Sequence, residues 1–108
     1  MASSRVAAMP METFNSATLT GNYDLAHTGL PAACFLLKIV NNSDTDVTVS
    51  YDGVDGHDFV RNDNKLEINF QTNSQPHGHV NLLSQGTRIY LAGVAGTGNI
   101  YIIGYYAV

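Results

Sequence analysis

Two histidines separated by one residue form the best candidate for chemistry in this chain. On a strand, His77 and His79 would point to the same face and could share a metal ion, with His27 or His57 as a third ligand. Jelly-roll metal sites with a His-x-His pattern carry a glutamate a few residues later, and no acid follows His79 here. A proline and a glycine in the same stretch favour a turn. We therefore expect solvated histidines and no metal.

Three aspartates are spaced loosely like the ligands of a calcium loop. Asp52, Asp55 and Asp58 lack the alternate-position order and the distal glutamate of an EF-hand, and two Asp-Gly turns explain them without any ion. The glycine-rich stretch 93–98 is predicted to be a hairpin loop between the strands at 88–92 and 99–108, whereas a dinucleotide-phosphate loop leads into a helix. No local context of a catalytic nucleophile and no paired carboxylates occur either. The sequence predicts no catalytic residues, no cofactor and no enzymatic activity.

Composition narrows the class of protein. The chain has 108 residues, the size of one domain, and only 13% of them are charged. Five Lys and Arg against nine Asp and Glu argue against nucleic-acid binding. No run approaches the roughly 20 apolar residues of a membrane helix, and no secretory signal is evident, so we expect synthesis in the cytoplasm. The single cysteine, Cys34, is expected to be a buried thiol.

Alternating apolar residues predict an all-β fold. Val47, Val49 and Tyr51 alternate with polar residues, which indicates a half-buried strand. Together with the apolar run before it, this segment predicts a hairpin whose turn lies at 42–46. Asn62–Asn64 is predicted to form a turn, because Asn and Asp tolerate left-handed backbone angles. We expect a single antiparallel β-sandwich or jelly-roll-like domain of about eight strands, at 18–23, 35–41, 47–52, 58–60, 65–70, 79–83, 88–92 and 99–108.

The two ends of the chain are the predicted contact regions. Residues 1–17 show no clean period and are predicted to form an N-terminal arm, followed by the sandwich domain at 18–108. The closing strand is apolar on both faces, which indicates a central strand or one covered by a partner. The predicted partner-contact residues are Arg5, Met9, Met11, Phe14, Tyr105 and Tyr106.

The strand and turn motifs carry a family resemblance. The run from Leu37 to Gly53, followed by His57, Gly86–Tyr90 and a closing strand that begins at Gly98, resembles small β-structured virion proteins of tailed phages. The likeness covers about residues 17–108 and matches strand and turn positions, so it transfers no functional residue. It implies a structural role in the virion, in many copies, with the major capsid protein or other virion proteins as partners.

Within that resemblance the first hypothesis is a capsid decoration or cement protein, which stabilises the head as a homo-oligomer. A head–tail connector, a tail component or a fibre component is the alternative. A carbohydrate-binding β-sandwich module is a second alternative, in which Tyr51 or Tyr90 would present an aromatic ring to a sugar.

Overall fold

The computed structural model describes residues 6–69 and 84–107 and contains nine strands and one short 3-10 helix in that part of the chain. Among the described residues, no helix has the length and apolar character needed to span a membrane. The 3-10 helix η1 spans Ser16–Thr18. The strands are β1 Val6–Ala8, β2 Glu12–Asn15, β3 Asp24–His27, β4 Cys34–Ser43, β5 Val47–Ser50, β6 Asp58–Val60, β7 Asn64–Asn69, β8 Ile89–Ala92 and β9 Gly98–Ala107.

The strands form two antiparallel sheets that face each other across one core. The five-stranded sheet has the order β1-β9-β4-β7, and β2 also pairs with β9; the four-stranded sheet has the order β3-β8-β5-β6. The predicted all-β sandwich is therefore confirmed. Fully buried side chains from both sheets meet between them, among them Leu37, Ile39, Val47, Val49, Ile89, Leu91, Ile100 and Ile102.

The predicted hairpin is wrong. The strands predicted at 35–41 and 47–52 exist as β4 and β5, but β4 pairs with β7 and β9, and β5 pairs with β6 and β8. The chain crosses from one sheet to the other at residues 44–46. The alternation of apolar residues places Ile39 and Val47 inward in either of two arrangements, with the strands paired side by side or facing each other across the core. In the structure β4 and β5 face each other across the core.

A second crossing lies beside the first. Residues 93–97 carry the chain from β8 in the four-stranded sheet to β9 in the five-stranded sheet, so the predicted hairpin loop there is also wrong. The two crossings bind each other through the Asp44 N–H, which donates to the Thr97 carbonyl at 3.1 Å, and the Thr97 N–H, which donates to Asp44 Oδ1 at 2.8 Å. Together they close one end of the sandwich.

The first predicted strand is also misplaced. Residues 20–23 form a turn, because the Thr20 N–H and hydroxyl both donate to the Asp24 carboxylate, at 2.9 and 2.8 Å. The strand begins at Asp24 instead, after the end of the strand predicted at 18–23. The turn at 62–64 is confirmed, with Asp63 at φ 54°. The strand predicted at 79–83 lies outside the described residues.

The described residues before position 17 include two strands that pair with β9 of the sandwich. Strands β1 and β2 both pair with β9, through Ala8 with Tyr105 and through Phe14 with Ile100. Between them Met9 is 4% exposed and belongs to the core. The domain boundary at residue 17 stays a prediction, and the described residues on its N-terminal side are strands of the five-stranded sheet.

Candidate functional site

The closing strand β9 has one face in the core and one face outward. Ile100 and Ile102 are fully buried, so the intervening positions point away from the core. Those positions carry Tyr101, Ile103 and Tyr105, and all three are partly exposed. A solvated face of an antiparallel sheet usually carries polar residues at such positions. Strand β9 is therefore apolar or aromatic on both faces, as its sequence predicted.

Strand β4 extends this surface. Its outward positions pair in register with those of β9, as Leu36 with Tyr105, Lys38 with Ile103, and Val40 with Tyr101. We name these six side chains the outer face, and five of them are apolar or aromatic. The exception is Lys38, whose Nζ lies 6.0 Å from the centroid of the Tyr105 ring. At that distance the ammonium group is attracted to the ring, which lowers the cost of placing a charge there.

The predicted contact residues at the N-terminus do not share one surface. Met9 is buried against Gly104, and Phe14 is half-buried and packs on the core. Met11 is 55% exposed and is free to meet a partner. Arg5 lies outside the described residues.

The two predicted contact tyrosines separate because neighbouring residues on a strand point to opposite faces. Tyr105 belongs to the outer face, whereas Tyr106 packs against the core. Leu36, Val40, Tyr101 and Ile103 were not predicted as contact residues. The available signal was the alternation within β4 and β9. When every second residue of a strand is buried in the core and the residues between them are also apolar, those intervening side chains must face away from the core.

On the opposite sheet, the connection between β5 and β6 folds over the strands. The phenol of Tyr51 donates to Asp58 Oδ2 at 2.8 Å, and its ring stacks on His57 with the centroids 5.4 Å apart. Burial, followed by the hydrogen bond and the negative charge of Asp58, raises the pKa of Tyr51. Gly53 lies over Tyr90, since a Cβ at Gly53 would be 3.1 Å from that ring. Both tyrosines proposed for a sugar platform thus have ring faces in internal contacts.

Asp52 organises this connection. Its Oδ1 accepts the backbone N–H groups of Val54 and Asp55 at 2.8 and 2.9 Å, and the Ser50 hydroxyl at 3.0 Å. These donors, with the Asp55 N–H first and the nearby His57 contributing, lower the pKa of Asp52 to about 2. The carboxylate proposed as a calcium ligand therefore acts as an acceptor for backbone N–H groups in a tight turn.

The remaining candidates for chemistry are structural where they are described. His27 is 8% exposed and its Nδ1 accepts the Gly29 N–H at 3.1 Å. Cys34 is fully buried, as predicted, and burial raises the pKa of its thiol. No group of three or more His, Cys, Asp or Glu side chains in the described ranges is placed to hold a metal. His77 and His79 lie outside those ranges, so the prediction about them stays a prediction.

The comparisons with known proteins add two likenesses. No protein-family model matches the sequence, and no curated protein matches it. The Dit protein of phage SPP1, described as a paradigm of the hub adsorption apparatus in phages that infect Gram-positive bacteria, is 11% identical over 95% of this chain, with a TM-score of 0.43; this chain spans 49% of Dit. The SPBc2 prophage-derived protein YomS is 8% identical over 100% of this chain and 97% of its own, also with a TM-score of 0.43. At these values neither likeness carries an argument about function.

Proposed function

We propose that this chain is a structural protein of a tailed-phage virion, and that it decorates the head by binding the major capsid protein. The resemblance of residues 17–108 to phage virion proteins supplies the context. The outer face supplies the binding surface, because five of its six side chains are apolar or aromatic and partly exposed. This observation carries the proposal.

The composition of the outer face matches the centre of a protein–protein interface. Such centres are rich in aromatic and large apolar side chains and poor in charge. Tyrosine suits this position, since its ring contributes contact area while its hydroxyl finds a hydrogen-bond partner. Tyr101 and Tyr105 provide two such rings on one strand. With only 13% charged residues in the chain, little charge would have to be desolvated on association.

The proposed mechanism is stabilisation by binding. A protein that binds the assembled capsid and not its dissociated subunits shifts the equilibrium towards the assembled state. Contacts repeated at many sites around the particle add an avidity that one contact lacks. Met11, exposed beside the same sheet, would extend the contact at one edge. Self-association of the bound copies into a homo-oligomer is a further part of the proposal.

Co-sedimentation with capsids assembled from the major capsid protein alone tests this function. Ile103→Glu places a second charged group opposite Lys38 at the middle of the outer face. Because both charges would have to lose water on association, we expect it to lower capsid binding by tenfold or more, about 1.4 kcal/mol. Leu25→Glu is the matched control, because Leu25 is 45% exposed on the other sheet and should tolerate the charge. Unchanged binding by a folded Ile103→Glu protein would refute the use of this face.

The copy number in purified virions separates decoration from the alternatives. Quantitative mass spectrometry should find a copy number comparable with that of the major capsid protein if the chain decorates the head. A copy number far below it would indicate a connector, tail or fibre component. Complete absence from the virion would contradict both versions of the proposal.

A further inference from the structure

A cleft lies at one end of the five-stranded sheet, beside the turn that leads into β7. Val40 forms its floor with its two cross-strand partners, Tyr101 on β9 and Lys65 on β7. Asn42 continues the floor along β4. The cleft has a volume of about 430 Å³ and is lined by Val40, Asn41, Asn42, Asp63, Asn64, Lys65 and Tyr101. We name it the Tyr101 cleft. Its size falls within the range of small-molecule sites, roughly 300–1,000 Å³.

The wall of the Tyr101 cleft is held in place by the backbone. The Asp63 N–H donates to the Ser43 carbonyl and the Asn64 N–H donates to the Arg61 carbonyl, both at 3.2 Å. The buried Asn41 side chain donates to the Arg61 carbonyl at 3.2 Å as well. The turn is therefore fixed to β4 before any ligand arrives, which reduces the entropic cost of binding.

Six polar side chains line the cleft; that of Asn41 is hydrogen-bonded, and the other five have no partners within the described part of the chain. The amides of Asn42 and Asn64, the carboxylate of Asp63, the ammonium of Lys65 and the phenol of Tyr101 make no hydrogen bond or ion pair there. They offer acceptors and donors on two sides of a partly exposed aromatic ring.

We propose that the Tyr101 cleft binds a neutral saccharide. A pyranose ring presents an apolar C–H face, which would lie against the Tyr101 ring, and hydroxyl groups at its rim, which both donate and accept hydrogen bonds. The amides of Asn42 and Asn64 also donate and accept, so they pair with hydroxyls in either direction. The charges of Asp63 and Lys65 cancel, which favours an uncharged ligand.

Other ligand classes fit this lining less well. The carboxylate of Asp63 would repel a phosphate group, and one lysine is a weak basic site for a nucleic acid. The cleft also differs from the sugar site expected from sequence, because the rings of Tyr51 and Tyr90 are engaged in the connection between β5 and β6. The inference does not rest on a role in the virion. Because Val40 and Tyr101 also belong to the outer face, a saccharide and a capsid subunit would compete for these two residues.

A glycan array of neutral oligosaccharides, probed with the labelled full chain, identifies the ligand class. The best array ligand is then titrated into the isotope-labelled full chain and followed by NMR, with inorganic phosphate as the charged comparison. We expect saturable shifts at the backbone and side-chain amides of Asn42 and Asn64 and no such shifts with phosphate. An array without hits, or shifts confined to other residues, would overturn the proposal.

Substitutions on one face of one strand provide the matched test. Tyr101→Ala should lower saccharide affinity by tenfold or more, whereas Tyr105→Ala, on the same face but outside the cleft, should leave it unchanged. Asn42→Ala and Asp63→Asn should each lower affinity about tenfold. Both residues are exposed, so these two variants remain informative if Tyr101→Ala unfolds. Wild-type affinity in Asn42→Ala and Asp63→Asn together would refute the site. Capsid co-sedimentation of Ile103→Glu is an independent result.

Discussion

Met9 packs directly on Gly104. The Met9 N–H donates to the Gly104 carbonyl at 2.9 Å, and a Cβ at position 104 would lie 2.9 Å from the Met9 sulfur. The Cys34 sulfur would lie 3.1 Å from the same Cβ. Glycine is therefore the residue that lets a side chain between β1 and β2 enter the core beneath β9. This contact ties the N-terminal strands to the sandwich.

Met9→Ala should lower the free energy of unfolding by about 2–4 kcal/mol, because it removes a buried side chain and leaves a cavity beneath β9. Met11→Ala, two residues away and 55% exposed, should change it by less than about 0.5 kcal/mol. Urea denaturation monitored by circular dichroism measures both. Equal effects of the two substitutions would show that Met9 does not pack in the core.

The combination of Gly104→Ala with Met9→Ala tests the contact itself. Gly104→Ala alone should cost about 1–3 kcal/mol, since the flexible end of Met9 must move away. In the double variant the added methyl group occupies part of the space that Met9 leaves. The loss of unfolding free energy in the double variant should therefore be smaller than the sum of the losses in the two single variants. Losses that simply add would contradict direct packing.

Two glycines with positive φ separate backbone strain from steric exclusion. Gly98 has φ 111°, and a Cβ there would overlap the Asn42 carbonyl oxygen on the neighbouring strand. Gly21 has φ 90°, and a Cβ there would meet nothing within 4 Å. Gly21→Ala should cost about 1–2 kcal/mol from strain alone. Gly98→Ala should cost about 3 kcal/mol or more, because overlap with backbone cannot be relieved by rotating a side chain. Thermal unfolding of both variants checks the difference.

Sequence periodicity was a good guide to where strands lie and a poor guide to which strands pair. The predicted strands at 58–60 and 88–92 match β6 and β8 closely, because turn residues bound both segments. The pairing of β4 with β9 joins residues far apart in the sequence, through contacts such as Ile39 with Ile102. Nothing in the local pattern distinguishes a hairpin from two strands that face each other across a core.

Of the candidate binding surfaces, too, one feature could be predicted from the sequence and others could not. The apolar character of both faces of the closing strand was visible in the sequence, but the sequence did not separate Tyr105, on the outer face, from Tyr106, which packs against the core. The Tyr101 cleft was not predictable, since it joins Tyr101 to Asp63 through the alignment of three strands. Met9 looked like an exposed contact because the small residues around it show no period, and its burial depends on the glycine at position 104.

Asn41 links the two sheets at the first crossing. It is 1% exposed, and its Nδ2 donates to the Thr45 carbonyl at 2.8 Å and to the Arg61 carbonyl at 3.2 Å. Its Oδ1 accepts the Ser43 hydroxyl. Asn41→Ala would remove these hydrogen bonds at a buried position and leave a cavity there, which should cost roughly 2–4 kcal/mol. Asn42→Ala, the exposed neighbour, should be nearly neutral. Urea midpoints that agree between the two variants would contradict this role of Asn41.

The turn held by Asp52 should make stability depend on pH in a narrow acidic range. The backbone N–H groups of Asp55 and Val54 lower the pKa of Asp52 to about 2 in the folded protein, against about 3.9 in an unfolded chain. Between these values the unfolded state binds more protons, so stability rises with pH. The contribution of Asp52 is fully present above about pH 4 and is lost as the pH falls through about 2.

Asp52→Asn removes the titration but keeps an oxygen that accepts the Val54 and Asp55 N–H groups. Its urea midpoint should therefore fall less steeply than that of the wild type between pH of about 4 and about 2. Asp55→Asn is the control, because the Asp55 carboxylate accepts no hydrogen bond from the described residues and its removal should leave the wild-type slope. If Asp52→Asn and Asp55→Asn give the same slope, the low pKa of Asp52 does not contribute to stability. A flatter slope in Asp52→Asn alone assigns this part of the acid dependence to the turn between β5 and β6.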